Sequence, residues 1–434
     1  MSERSESAWW QLADKHLIRY GGEFNPVLIE RASGTRIYDR SGRSILDFTS
    51  GQMCAILGHN HPAVVAAMSE ASENVLHLFS GMLTTDVIAF AEELSDVLPA
   101  RLTKSILLST GSESNEAAFR LAKLVTGGFE VVAFAGSWHG MTAAASSSTY
   151  SAGHRGYGPA MPGTMALPTP NSYRCPIQHC SSKCDLACLD AGMSLVDAQS
   201  VGQPAAIIAE PVLSAGGIVV LPEGYLARLR DLAHERGYLL ILDEAQTGLG
   251  RLGSMFGFEL HDVVPDILTL SKTLGAGLPV ASTITSSEIE EQAAGRGFLH
   301  FTSHVSDPLA ARVARVVLST VINEGLSKRA KRLGERLRHG LVALQESHEM
   351  IGDVRGVGLL QGVELVKDRH SKQPAEHEGE LVTQRCLELG LNLNIVKFKG
   401  MGSVLRIAPP LTVSEAEIDE ALGILDEALT STGR

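Results

Sequence analysis

The chain has 434 residues, 44% of them hydrophobic, and a formal net charge of −12. That is enough apolar material for two domains, and an acidic average with no dense Lys/Arg block excludes a nucleic-acid binder. No run approaches the roughly 18 apolar residues of a membrane span, and charges interrupt the one apolar stretch near the start, so a cytoplasmic protein acting on small molecules is expected.

Residues 7–20 read as a helix, and GTRIYDRSGRSILDF as a hairpin turning at Arg40-Ser41-Gly42. Together they form an N-terminal arm over 1–60. From 61 to 320 the runs SILLST, VVAFAGS, AAIIAEPV, YLLILDEA, DILTLSK and PVASTIT alternate with helical stretches. Continuously apolar runs of this length belong to strands buried on both faces. The fold class is therefore α/β, a large domain with a mainly parallel central sheet flanked by helices. Over 321–434, a charged amphipathic helix (327–346), short β-rich runs and a helix opened by the capping box Ser414-Glu415-Ala416-Glu417 predict a small α+β domain that packs with the arm.

Reactive side chains stand where the strands end. Thr110 closes SILLST, Ser137 and Trp138 follow VVAFAG, Glu210 interrupts AAIIAEPV, Asp243 closes YLLILD and Lys272 closes DILTLS. In a parallel sheet these ends face one crevice, where open α/β folds bind ligands. Burial of Lys272 would lower its pKa and free the amine for imine chemistry; alone it reads more readily as a surface lysine, and only its neighbours reverse that. Asp243 could pair with a protonated pyridine nitrogen, or cap the next helix, or bond Arg251. The loop from Thr110 through Gly111 and Ser112 opens a helix and suits a phosphate ester or a plain cap. Trp138 offers a flat face for stacking, Gln246 lies on the same side of the turn as Asp243, and Arg406 in VLRIAPPL demands an anion, either a substrate carboxylate or an internal acid.

The combination of STGSESNEAA, SWHGMT, AEPV, ILDEAQTGLGR and LSKTLGAGLP, spread over nearly the whole chain, resembles the class III (ω-amino acid type) aminotransferases, enzymes of the pyridoxal 5'-phosphate (PLP) transferase fold type I. RYGG, DFTSGQM, HLFSGML, SHVSDPL and RIAPPLTVSE resemble the 2,2-dialkylglycine decarboxylase branch. The resemblance implies Lys272 as Schiff-base lysine and proton shuttle, Asp243 on the pyridine nitrogen, Gln246 on the phenolic oxygen and Trp138 stacked on the ring. It also implies a pocket completed by Glu210 and Ala245, and a phosphate held by Thr110, Gly111 and Ser112 with Ser303 reaching across from a second subunit of a dimer or a dimer of dimers. Gln52 would bind the departing carboxylate, Arg406 that of the oxo-acid acceptor, with Met141, Ala215 and Asn394 lining the substrate space. A K+ or Na+ ion would lie among Leu78, Ser80, Ser303, Val305 and Asp307. Departures from the branch are Ala215 for serine, Ser303 for threonine, Phe301 for tyrosine, and Leu98 for a threonine at a second cation site over 95–102.

Two activities follow from the resemblance: decarboxylation of 2,2-dialkylglycines coupled to amination of pyruvate, and ordinary transamination, which Ala215 favours. Of the six cysteines, Cys54 and Cys386 are isolated. Cys175, Cys180, Cys184 and Cys188, spaced C-x4-C-x3-C-x3-C, could hold zinc or an iron–sulfur cluster, or stand as reduced thiols.

Overall fold

The computed structural model describes residues 4–21, 24–150, 157–177, 184–396 and 402–432. Its centre is a sheet of seven strands: β1 (Lys104–Leu108), β2 (Glu130–Phe134), β3 (Thr164–Leu167), β4 (Pro204–Ala209), β5 (Leu239–Asp243), β6 (Ile267–Leu270) and β7 (Ala281–Thr285). Their order is β1-β7-β6-β5-β4-β2-β3, and β7 alone runs antiparallel. The mixed α/β fold with a mostly parallel sheet is the expected one. Period-2 alternation sends Val131, Ala133, Ile208, Ile241 and Ile267 to one face, against Ala118, Phe119 and Ala122 of helix α1 (Gly111–Thr126). Val132, Phe134, Leu240, Leu242, Leu268 and Leu270 go to the other face, with the helices Tyr225–Glu235 and Pro308–Asn323. Each such fully buried side chain contributes about 1.5–3 kcal/mol.

The strands Ile351–Val357, Leu360–Leu365, Val404–Ile407 and Asn394–Val396 form a separate antiparallel sheet in that spatial order. Arg36–Asp39 and Ser44–Asp47 make the hairpin read from sequence, and Asp39 Oδ1 accepts the amides of Ser41 (2.9 Å) and Arg43 (3.0 Å) to fix its turn. The second hairpin strand also pairs in parallel with Leu391–Asn392, joining the two ends of the chain. The capping box at Ser414 forms reciprocally: Glu417 N–H donates to Ser414 Oγ (3.3 Å) and Ser414 N–H to Glu417 Oε2 (2.8 Å). No helix among the described residues is long and apolar enough to cross a membrane.

Candidate active site

A cleft of about 340 Å³ opens at the carboxyl ends of the strands, lined by Thr110, Gly111, Ser112, Trp138, Asp243, Ala245 and Lys272, and also by Cys54 and His139. Four segments far apart in sequence thus meet as strand-end placement requires. Lys272 opens a 3-10 turn directly after β6 with φ +40. Burial pushes its amine pKa down, Asp243, Cys54 and Glu210 pull it back in part, and Arg406 depresses it further.

Asp243 is buried, and its carboxylate is bonded to neither a cap nor Arg251. Its Oδ2 accepts from Asn115 Nδ2 (2.8 Å) and faces His139 Nδ1 (2.9 Å), while Oδ1 accepts the Ala245 amide (3.1 Å). Burial alone would raise this carboxyl, but the His139 and Asn115 contacts outweigh it and hold it below the usual range. Asn115 is itself fixed by Thr269 Oγ1, which donates to its oxygen at 2.8 Å, and it donates in turn to His139 O at 2.7 Å. Arg251, wholly buried, instead donates to the carbonyls of Leu359 (3.3 Å) and Pro409.

Thr110 is the N-cap of α1: its Oγ1 accepts the Glu113 amide (3.3 Å), and Glu113 reaches back to the Ser109 amide (2.9 Å). The first-turn amides, without partners inside the helix, border the cleft and suit a phosphate. A Cβ at Gly111 would lie 2.7 Å from Ser271 Oγ and one at Gly140 2.2 Å from Ser112 Oγ, so both close approaches require glycine. Ser271 Oγ and Gln246 Oε1 are buried without hydrogen-bond partners among the described residues. A cradle walled by backbone amides, with a buried carboxylate at one end and unsatisfied polar atoms beside it, fits PLP. Glu210 braces the indole-bearing segment, accepting the amides of Trp138 (3.0 Å) and Ser214 (3.1 Å), and burial lifts its carboxyl to about 7.

Other sequence candidates lie elsewhere. Met141 is exposed and lines a neighbouring hollow with Tyr157, touching the cradle only through its amide, which donates to Ser112 Oγ (3.0 Å). Ala215 is buried beside Ser214. Asn394 and Arg406 are cross-strand partners in the small sheet. Arg406 is buried, its pKa depressed to about 10 by burial and pulled back by Glu210. No carboxylate among the described residues lies within ion-pair distance of it, so the internal acid left open by sequence is not found there. Leu78, Ser80 and Ser303 share a separate cleft with His77, Phe79, Phe301 and Thr302. At the second cation position Leu98 points into the core. Burial and then the thiols of Cys184 and Cys175 push Cys188 up to about 11, so these three are neighbours. Cys180 and His179 lie outside the described residues, and the described cysteines do not form a tight ligand group.

Gln52 sits in a feature that no periodicity announces. Ser50, Gly51, Gln52 and Met53 have φ of +47°, +52°, +64° and +64°, one left-handed turn packed against the Lys272–Gly275 segment. Such backbone costs roughly 1–2 kcal/mol per non-glycine residue. The buried Asp47 holds it: its carboxylate accepts from Thr49 N (3.1 Å), Gly51 N (2.7 Å) and Asn392 Nδ2 (3.0 Å), and meets His59 Nε2 at 2.8 Å. Asp47→Ala is expected to lower stability by about 3–5 kcal/mol, because it leaves these buried donors unmatched. It should also reduce turnover more than cofactor affinity, as Gln52 loses its placement. Denaturant unfolding and steady-state kinetics check both, and a variant with near-native turnover would refute the coupling.

Glu244, wholly buried next to Asp243, accepts the amides of Gly257 (2.6 Å) and Phe258 (2.8 Å), yet burial still lifts it to about 7. An unfolded glutamate titrates near ~4.3. Between the two values the native state binds a proton that the unfolded chain has released, so this contribution to stability is complete below about 4.3 and is lost as pH rises through 7. Glu244→Gln is expected to flatten the fall in stability between about pH 4.3 and 7, by up to about 1.4 kcal/mol per pH unit at the steepest point. Denaturation midpoints across that window read it, and an unaltered slope would contradict it.

A parallel sheet with a lysine and a paired aspartate at its strand ends, facing a glycine-walled anion cradle, defines a PLP-dependent transferase. The aminotransferase class-III family profile matches residues 19–429. The chain belongs to that family, PLP-dependent aminotransferases acting on small amino and oxo acids. It is 50% identical over 427 residues to an uncharacterized aminotransferase of Schizosaccharomyces pombe, covering 98% of this chain and 95% of that one. It is 35% identical over 412 residues to a leucine/methionine racemase of Thermococcus litoralis, covering 94% and 91%. The structure of a Bacillus anthracis aminotransferase superposes with TM-score 0.92 at 28% identity, covering 99% of this chain and 100% of that one.

Proposed function

We propose that this chain is a 2,2-dialkylglycine decarboxylase of the class-III aminotransferase family. It would convert a dialkylglycine such as 2-aminoisobutyrate to CO2 and a ketone, and pyruvate to L-alanine. The observation that carries this reading is the strained turn at Ser50–Met53, pinned by Asp47 and packed against the Lys272–Gly275 segment, which supports a carboxylate contact from the exposed Gln52. A second receptor is Arg406, buried and without a carboxylate in ion-pair distance among the described residues. Two carboxylate receptors suit an enzyme that must expel one carboxylate and keep another.

PLP, when bound, supplies an aldehyde carbon that joins an amine and a ring that accepts an electron pair. Lys272, its amine made less basic by burial, would hold that carbon covalently and move protons at Nζ. Gln52 would donate its amide to the substrate carboxylate and orient the Cα–carboxylate bond for cleavage, while Asp243 would face the pyridine nitrogen and hold it protonated. Trp138 covers the ring, and Gln246 bonds its phenolic oxygen. Thr110, Gly111 and Ser112 anchor the phosphate. Arg406 binds pyruvate, and Lys272 then returns a proton to Cα.

Exposed Phe79 and Phe301, their rings 6.0 Å apart, make an apolar surface pair that supports a homodimer or a dimer of dimers. Ser303 on that surface would complete the phosphate site of a neighbour. Oxygen donors of Leu78, Ser80, Ser303, Val305 and Asp307 suit K+ or Na+.

A second reading, an amine or amino acid:pyruvate aminotransferase, draws support from Ala215, which has no hydroxyl to offer a departing carboxylate. Holoenzyme incubated with 2-aminoisobutyrate and pyruvate separates the two. Equimolar CO2, acetone and alanine support decarboxylation. Absence of CO2, with brisk transfer from simple amines, selects the second.

A further inference from the structure

Two segments remote in sequence, 77–80 and 301–307, meet outside the cofactor cleft. His77 Nδ1 lies 2.6 Å from Asp307 Oδ1 and His304 Nδ1 lies 2.6 Å from Asp307 Oδ2, with the imidazole centroids 4.9 Å apart. All three ligand atoms fall within 4.8 Å of one another, and they form the one such His/Cys/carboxylate group among the described residues. Ser80 Oγ donates to Thr302 O at 2.9 Å and ties the segments together.

The local backbone is bent toward this arrangement. Asp307 is the N-cap of the helix Pro308–Asn323, where an aspartate ordinarily accepts a first-turn amide for about 1 kcal/mol, yet its side chain makes no capping bond. Ser306, just before it, has φ +60. The chain forgoes a cap and adopts left-handed backbone, and both carboxylate oxygens turn to the imidazoles. In the isolated subunit the Asp307 side chain is 16% exposed and those of His77 and His304 are 50% and 63% exposed, so the donor atoms lie at the same surface that is proposed to meet a second subunit.

We infer that His77, His304 and Asp307 form a binding site for one borderline divalent transition ion of the zinc, cobalt and nickel class. Two imidazole nitrogens and one carboxylate oxygen are the donor set that selects such ions, whereas alkali and alkaline-earth ions take oxygen alone. Coordination uses the Nδ1 lone pair, so each ring holds its remaining proton on Nε2 when the ion is bound. The site does not rest on the decarboxylase reading, but it shares Asp307 with the alkali-ion site proposed there, so the two ions would compete for this carboxylate.

Chelator-treated holoenzyme titrated with Co2+, followed by calorimetry and difference absorption, tests this. One Co2+ per subunit is expected, with ligand-field bands of nitrogen–oxygen coordination. In His77→Ala/His304→Ala the affinity should fall by more than about tenfold while the cofactor spectrum stays unchanged. His77→Gln, which keeps a polar group toward Asp307, provides the same reading should the double variant fold poorly. Absence of saturable binding, equal affinity in the variants, or a sulfur-to-cobalt charge-transfer band that places the ion on cysteines would overturn the inference.

Discussion

Lys272→Ala is expected to lower kcat by about 10⁴-fold or more, since one amine is asked both to form the covalent link and to carry the proton. The protein reconstituted with PLP should also lose the visible absorption band of the amine-linked cofactor. The loss is chemical and not structural: a lysine whose pKa burial depresses is costly to bury, so the apo variant should be at least as stable as the parent. Turnover, the absorption spectrum and apo-protein unfolding measured on one preparation separate the two. A variant that retains turnover within tenfold of the parent would remove Lys272 from the chemistry.

What could be read from sequence, and what could not, divides along a physical line. Lys272, Asp243, Thr110 and Trp138 were legible because each closes or follows an apolar run, and parallel strands bring such ends together whatever their separation. The partners of Asp243 were not. Asn115 sits on a helix and His139 in a loop, and neither has a spacing that marks it, so their convergence appears only when α1 packs across β5 and β6. Arg251 looked nearer in sequence, but the fold commits it to the carbonyls of Leu359 and Pro409.

The turn carrying Gln52 was illegible for the same reason. Asp47, His59 and Asn392 meet through the parallel pairing of Leu46 with Leu391, and pairing between chain ends leaves no periodic signal. Only Gly51 hinted at left-handed backbone, and its three neighbours with positive φ carry side chains that ordinarily avoid it. The cap geometry at Asp307 is likewise the reverse of what its position before Pro308 suggests, since the carboxylate leaves the helix for two histidines.

Asp243→Asn should cost about 10³-fold in kcat with a smaller loss of PLP affinity, on the scale of removing one preorganised charge at the reacting centre. The native carboxylate has Oδ2 occupied by Asn115 and His139 and presents Oδ1, loosely held by the Ala245 amide, toward the cleft. An asparagine must turn either its oxygen or its NH2 toward that space. With the oxygen outward, the NH2 confronts Asn115 Nδ2–H; with the NH2 outward, the ring nitrogen meets a donor. Either way the negative charge that keeps the ring nitrogen protonated is gone, and the electron pair from bond cleavage has a poorer acceptor. Because Asp243 is held below the usual carboxylate range, the parent enzyme stays charged at this position throughout the working range. The rate deficit of Asp243→Asn should therefore stay constant between about pH 6 and 9, and a deficit that closes toward low pH would mean that the parent carboxyl itself titrates there. His139→Gln, which keeps a donor near Oδ2 but changes its reach, should fall between the parent and Asp243→Asn. If it matched the parent in both kcat and pH profile, the histidine would have no share in positioning the carboxylate.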